Sequence, residues 1–542
     1  MKDRPTLPIE PLRPIFHARF SIHFLRSILF AQVLILLIPL NLPAQENVDH
    51  AVIARIKEEG FQHSQVMNTL MYLTDVHGPR LSGSPAYYEG AQWAKTEMES
   101  WGLSKVRFDQ LTEELRGWSA QSYSMTIIKP HYETLFAYPY AWTSSTKGTV
   151  TGVPFIMDGE HWQIDSLARY TGKLEGKIIF FDKSRESGPR FEAFASRFTD
   201  DDLKSAEALI DPALESKLEV ATDETVIEAI EDEVEWLRKE TEVEQFFLDE
   251  GASAIVFPSK RDHGILRVGG KYHDSMGAIK PVAQFVISKE QFGRIVRRAK
   301  EGFETEIELH LEAQFHEDPR YRINVLAEIP GADRNLKSEI VLAGAHFDTW
   351  HPGTGATDNS AGSAVMMEAL RILKSIGIKP KRTIRLGLWY GEEQAYWGSR
   401  DYVEKYVGDI FTGESKGEKK NMSAYLNVDN GSGKIRGVYL QGNEAVRPIF
   451  RDLLEPFHYL DANVLTIQNT TGTDHLIFDA INIPAFQFIQ DPLNYGTVTH
   501  HSNMDVADYV IEDDMKQNAV IVASFLYHLA MRDEKLPRKT VK

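Results

Sequence analysis

EIVLAGAHFDTWHPGTGATDNSAGSAVMMEALRILKS, residues 339–375, is the stretch whose reading decides the fold. Glu339 to Ala345 is an apolar run of strand length that ends at His346. The glycine-rich loop HPGTGAT follows and delivers Asp358 to the start of a helical pattern. From Ser363 to Ser375, Val365, Met366, Ala369, Leu370 and Leu373 fall on one stripe, the spacing of a helix with one buried face.

Working outward, the same grammar recurs. Thr383 to Tyr390 (TIRLGLWY) is a second apolar run and delivers Glu392 and Glu393, while Ala424 to Val428 (AYLNV) delivers Asp429. Strands alternating with helices predict an α/β domain, a mixed central β-sheet flanked by helices. Ligands of such sheets bind in the crevice outside the carboxyl ends of the strands. His346, Asp358, Glu393, Asp429 and His501, each just past a strand-like run, are therefore expected to converge as metal ligands, with Glu392 beside them. Carboxylate and imidazole suit zinc, cobalt or manganese, and two neighbouring ions can share one carboxylate and hold a water between them. Taken singly, each has a duller reading: His-x-Asp as a surface pair, Glu-Glu as solvated charge, Asp429 before Asn-Gly as a turn former.

Six ordered motifs give the set its weight: AGAHFDTW (343–350), GATDNSAG (355–362), RTIRLGLWYGEEQAYWGS (382–399), LNVDNGSG (426–433), GTDHLIFDAINIPAF (472–486) and HHSNMD (500–505). In these the chain resembles the di-zinc exopeptidases, the family of bacterial leucyl aminopeptidase and glutamate carboxypeptidase. The likeness runs from Asn324 to about Asp533 and reappears in GPRLSGSPAYYEGAQWAKTEMESWGL (78–103). It implies that Asp358 bridges two Zn2+ ions, with His346 and Asp429 completing one site and Glu393 and His501 the other; Co2+ or Mn2+ are alternatives. It further implies Glu392 as general base, Asp348 as the carboxylate that orients the His346 imidazole, and a cis peptide after Asp358. His501 is chosen over His500 because H-S-N-M-D fits the family's His-x-x-x-Asp spacing. Tyr495 is a candidate oxyanion donor from position alone, and Asp474 and His475 lie inside a matching motif near the substrate. His351, His458 and His475 are read as loop or packing histidines. The implied reaction is removal of terminal residues from short peptides, by aminopeptidase or dipeptidase action, through a hydroxide held by the two ions. Two rivals on the same fold are a metal-free binding protein and a single-zinc glutaminyl-peptide cyclase; the intact ligand set argues against the first, and two acidic pairs against the second.

Composition agrees. The chain has 542 residues, more than one typical core, and 42% hydrophobic content is ample for two domains. A net charge of −18 speaks against nucleic acid and anionic membranes as partners. Short peptides are the expected partners, and a homodimer is allowed. With no cysteine, disulfides, thiolate zinc sites and cysteine nucleophiles are excluded.

Ser27 to Leu42 is apolar, follows Arg13, Arg19 and Arg26, and ends in Pro-Ala-Gln. This predicts a secretory signal over 1–44, cleavage near Ala44, and a secreted or periplasmic protein with no stable membrane anchor; the alternative is an uncleaved signal anchor. The catalytic domain is expected in two parts, 46–129 and 320–533, around an insert at 130–319. GKLEGKIIFFDKS (172–184), LDEGASAIVFPSKRD (248–262) and IKPVAQFVISKEQFGRIVRRAKEG (279–302) give that insert a β-rich, protease-associated-like character. Its acidic stretch 200–244 carries apolar residues at helical spacing and predicts a helical excursion. Placed over the cleft, the insert would restrict entry to small peptides.

Overall fold

The computed structural model describes residues 46–539 apart from Glu114, 160–163, 183–186, 215–217, 219–225 and 272–278, and the side chains of 226–235 and 237. The expected signal segment 1–44 and the side chains of 226–235 and 237 in the acidic stretch lie outside the described residues.

Helices His50–Gln62 and Pro85–Ser100 precede strand β1 (Ser104–Gln110), with Gly102 in the left-handed conformation (φ +77°) ending the second helix. The chain then leaves for β2 (Gly117–Lys129), β3 (Glu133–Thr134), β4 (Ala137–Pro139), β5 (Val150–Gly152), β6 (Pro154–Asp158), β7 (Ile178–Asp182), β8 (Ala254–Pro258), β9 (Ala283–Ile287) and β10 (Glu306–His316). It returns with β11 (Ile323–Ile329), β12 (Ile340–His346), β13 (Thr383–Trp389), β14 (Met422–Asn427), β15 (Ile435–Tyr439), β16 (Val464–Thr466) and β17 (Ala485–Gln490).

The large sheet is mixed, in the order β1-β11-β13-β12-β14-β17-β15-β16, and its centre, β13 to β17, is parallel. Parallel central strands are covered on both faces, which is why their sequences read as continuous apolar runs. In β12, Val341, Ala343 and Ala345 pack into one core with helices His50–Gln62, Ala361–Ser375 and Glu512–Met531. Ile340 and Leu342 point the other way, into a core with Trp389, Tyr402, Tyr425 and Phe478. Gly344 continues that second face, where a Cβ would collide with Tyr425 and Trp389.

The strands between 117 and 316 form two further sheets, β3-β2-β10-β5 and β4-β9-β8-β7-β6. They share one core, in which Met125, Ile127, Leu309 and Leu311 of the first meet Ile178, Phe180, Val256 and Phe285 of the second. β2 falls before the expected boundary at residue 130; the apolar alternation of Met125 and Ile127 commits it to pairing with β10. Helices Val226–Asp249 and Lys289–Lys300 add α-structure to what the sequence presents as β-rich text, the first packing Val243 and Phe247 on Ile179, Phe181 and Ile255. Among the described residues no helix is long and apolar enough to cross a membrane.

Candidate metal centre

β12, β13 and β14 run parallel with their ends level, His346 opposite Trp389 and Gly344 opposite Asn427. The residues just past each end therefore share one edge: His346 itself, Glu392 and Glu393 after β13, and Asp429 after β14. Asp358 reaches the same place from the start of helix Ala361–Ser375, across a loop in which Gly355 turns with φ +69°. A Cβ at Gly355 would run into Thr349. His501 (φ +56°) comes from the segment after β17.

Asp358 stands between the two imidazoles. His346 Nε2 lies 3.2 Å from Asp358 Oδ1 and 3.1 Å from Asp429 Oδ1. His501 Nε2 lies 3.2 Å from Asp358 Oδ2 and 2.9 Å from Glu393 Oε2. His500 Nε2 is farther from that oxygen, at 3.7 Å. The peptide Asp358–Asn359 is cis.

The supports are as specific as the ligands. Asp348 gives its backbone carbonyl to His346 Nδ1 at 3.0 Å, with its carboxylate Oδ1 at 3.5 Å. The same Oδ1 accepts the backbone N–H of Glu392 at 3.2 Å, and Oδ2 accepts from Ser82 Oγ at 2.9 Å. One aspartate thus ties an imidazole to the neighbouring glutamate. Trp350 donates its indole N–H to Glu393 Oε2 at 2.7 Å. Asp474 and His475 are both fully buried: Ser399 donates to the Asp474 carboxylate, and His475 Nε2 faces the Thr470 carbonyl at 3.1 Å. His351 is a packing histidine, its Nε2 2.7 Å from the Pro139 carbonyl. Tyr495 stacks near His500, ring centroids 4.8 Å apart.

The electrostatics describe a site short of positive charge. Burial, then Asp358, pushes Glu393 up to about 7, and burial lifts Glu392 well above its ordinary value. Burial alone would lower His346, but Asp429, Asp348 and Asp358 together raise it well above its usual range. Burial would likewise lower His501, which Glu393 and Asp358 bring up to about 9. Protons are held where cations would otherwise balance the carboxylates.

The donor set fits metal. Glu393 Oε1 is buried without a hydrogen-bond partner. Donors around a tetrahedral zinc at roughly 2.0–2.2 Å stand roughly 3.3 Å apart, close to the 2.9–3.2 Å spacings here. Three overlapping groups have their ligand atoms within 4.8 Å of one another: His346, Asp358 and Glu393; His346, Glu392 and Asp429; and Asp358, His500 and His501. The pairwise distances divide the set around Asp358, whereas these groups also admit Glu392 and His500.

Several site residues carry no role in the sequence reading. Asp505 accepts Thr357 N and Thr357 Oγ1 at 2.7 and 2.8 Å and Asp358 N at 3.2 Å, so it holds the loop of the central aspartate. Its place in H-S-N-M-D was the available signal. Residues between 117 and 316 also reach the centre: Trp142 packs edge-on against Trp350, Val268 N donates to the His501 carbonyl at 2.9 Å, and Arg261 grips the carbonyls of Val498 and Gly496 at 2.6 and 3.0 Å.

The parallel centre of the sheet gathers imidazoles and carboxylates at its carboxyl edge, a donor set that suits zinc or another first-row metal. Residues 324–526 match the family model described as Peptidase family M28. Carboxypeptidase Q from Mus musculus is 24% identical over 494 residues, 91% of each chain, and carboxypeptidase Q from Homo sapiens 24% over 471 residues, 86% of each. A peptidase M28 precursor from Shewanella amazonensis superposes with TM-score 0.62 at 22% identity, covering 91% of this chain and 99% of that one. A zinc aminopeptidase from Bacillus subtilis does so with TM-score 0.55 at 18% identity, covering 86% and 95%. The two superpositions carry the fold.

Proposed function

We propose that this chain is an exported zinc exopeptidase that removes terminal residues from short peptides with two co-catalytic ions. The observation that carries the reading is Asp358 set between His346 and His501, with one further carboxylate beside each imidazole. His346, Asp358 and Asp429 would hold one ion and Asp358, Glu393 and His501 the other. Such ions polarise the scissile carbonyl and bring the attacking water's pKa toward neutrality.

The chain's own groups do the rest. Glu392 is buried beside the ligands and, ionised by nearby cations, takes the water's proton and returns it to the leaving nitrogen. Asp348 anchors the Glu392 backbone through its N–H and orients His346 through its carbonyl, so the chain segments carrying base and ligand are tied to one residue. Burial, then Asp358, Asp429 and Glu393, raises Tyr495 well above its ordinary value, which keeps its hydroxyl a donor for the developing oxyanion. The segment Ser259–Val268 and Trp142 crowd the cleft from the insert, which supports small substrates over folded chains.

Zinc-dependent cleavage of a peptide panel with free and blocked termini tests the reading. Terminal trimming that stops on chelation and returns with zinc is expected; internal cuts in a long unfolded protein, or cleavage indifferent to chelation, would overturn it. Export predicts a mature chain starting close to Gln45 or Glu46. Terminal sequencing of the recovered protein checks this, and an intact Ser27 to Leu42 on a membrane-bound form would favour an anchor instead.

A further inference from the structure

Five cations gather at the amino end of the large sheet, the end opposite the metal centre. Lys416, Lys419 and Lys420 stand on the loop leading into β14, and Lys535 and Arg538 on the tail after helix Glu512–Met531. Together they line a cleft of about 650 Å³ that, among the described residues, no acidic side chain lines. The six residues of β14, at about 3.3 Å each, put roughly 20 Å between this cleft and Asp429. Loop and tail are laced through main-chain carbonyls. Arg538 donates to the carbonyls of Asn482 and Lys419 at 2.7 and 2.8 Å, Lys535 to that of Lys420, Lys416 to that of Glu404, and Lys419 to that of Gly413 at 3.4 Å. A carbonyl positions a cation without neutralising it. The nearby acids are committed elsewhere: Glu339 is 3.6 Å from Lys535 but 2.7 Å from Arg382, Arg385 holds Glu418 at 2.9 Å, and Asp409 Oδ1 accepts the N–H groups of Phe411 and Thr412. Glu414 and Glu534 are exposed and outside the lining. Burial lowers the Arg538 pKa below its ordinary value, as expected of a charge that no carboxylate offsets.

We propose that this cleft binds a compact soluble anion carrying two or more phosphoryl groups. Charge selects that chemistry: a single carboxylate would offset one of the five cations, whereas each phosphoryl group brings about −1.5 to −2 near neutral pH and several acceptor oxygens for lysine and arginine. Size agrees, since sites of roughly 300–1,000 Å³ hold small organic ligands. The rest of the chain selects a compact ligand over an extended one. With −18 overall, an anionic membrane or a long polyanion meets repulsion beyond the cleft, while a ligand inside it lies within a Debye length, about 8 Å at physiological ionic strength, of the cations. The site is remote from peptide cleavage and stands whether or not the exopeptidase reading does.

Calorimetry on the zinc-loaded protein tests this, with fructose 1,6-bisphosphate as probe and fructose 6-phosphate as the control with a single phosphoryl group. The bisphosphate should bind at least about tenfold tighter than the monophosphate, the scale of one further charge-assisted contact. Lys420→Glu, at an exposed side chain, and Lys416→Glu should each weaken the bisphosphate at least about tenfold on the same scale. Lys95→Glu, on helix Pro85–Ser100 and outside the cleft, makes the same change of net charge and should leave binding as it was. Zinc content should be equal in all three variants. No binding of the bisphosphate, equal binding of the two sugar phosphates, or equal weakening by Lys95→Glu overturns the proposal. Binding that vanishes when zinc is removed yet survives Lys420→Glu also overturns it, by returning the anion to the metal centre. A protein that ignores the bisphosphate but sediments with phosphatidic acid vesicles through Lys420 overturns it in favour of a membrane surface.

Discussion

Asp505 holds Asp358 in place: its Oδ2 accepts the Asp358 backbone N–H at 3.2 Å while Oδ1 takes both donors of Thr357. The two aspartates are 147 residues apart in sequence, and Asp505 is four residues beyond His501. The loop carrying the central carboxylate is thus locked to the segment carrying one of its imidazoles, so neither can move alone.

Asp505→Ala should therefore loosen metal binding rather than merely soften the fold. It leaves Thr357 and Asp358 N–H groups buried without acceptors, a loss of about 1–3 kcal/mol. Groups that orient metal ligands typically matter about 10–100-fold in affinity. Zinc competition with a graded chelator reads this directly, and unchanged affinity with only a lower Tm would assign Asp505 a purely structural part.

A second prediction concerns the close packing behind the site. A Cβ at Gly344 would come within 2.5 Å of Trp389 Nε1 and press on the Tyr425 hydroxyl. Trp389 donates to that hydroxyl at 2.9 Å, which donates to Asn427 Oδ1 at 2.6 Å, two residues before Asp429. Gly344→Ala should cost about 1–3 kcal/mol, the usual penalty for overfilling a core. Thermal unfolding measures it; a variant as stable as the parent would show that the Trp389–Tyr425 pair can yield.

The local parts of this architecture were legible in the sequence. Glu339 to Ala345 reads as a strand and the structure has Ile340–His346; the glycine-rich loop and the Ser363–Ser375 stripe fall where a turn and helix stand, because apolar periodicity and glycine report local backbone states. Of the residues expected to converge, His346, Glu392, Glu393 and Asp429 stand at or shortly after strand ends and Asp358 before a helix, positions a local pattern marks, whereas His501 lies in a turn well past β17. What escaped was long-range. Arg261 and Arg267 lie 234 or more residues before the segment they touch, and nothing in SKRDHGILRV marks them as facing His501. β2 was misplaced at the insert boundary for the same reason: its partner β10 begins at Glu306, and only that pairing shows which sheet owns Gly117–Lys129.

His351 gives the molecule an acid-sensitive joint. Burial pulls its pKa down to about 4, against 6.5 in the unfolded chain, while Nε2 faces the Pro139 carbonyl of the insert and Nδ1 has no partner. The folded state thus binds the proton less readily than the unfolded one. Its contribution to stability is complete above about pH 6.5 and is lost progressively as pH falls toward about 4. Urea midpoints measured across that interval should fall with acid, and less steeply in His351→Gln; equal slopes would place the sensitivity at another group, such as the buried His475.

The adjacent glutamates make the sharpest division of labour. Glu393 touches His501 and Trp350 through Oε2 and leaves Oε1 buried without a partner, the posture of a ligand. Glu392 is joined to the site through its backbone, by Asp348, which leaves its carboxyl available to carry a proton. Glu392→Gln should keep zinc while turnover falls by roughly two to four orders of magnitude, the scale of general acid–base catalysis. Glu393→Gln removes a charged oxygen from one ion and should lower zinc content toward one per chain, with activity partly restored by excess metal. Elemental analysis alongside kcat separates the two; metal lost from Glu392→Gln and retained at two per chain in Glu393→Gln would require the roles to be exchanged.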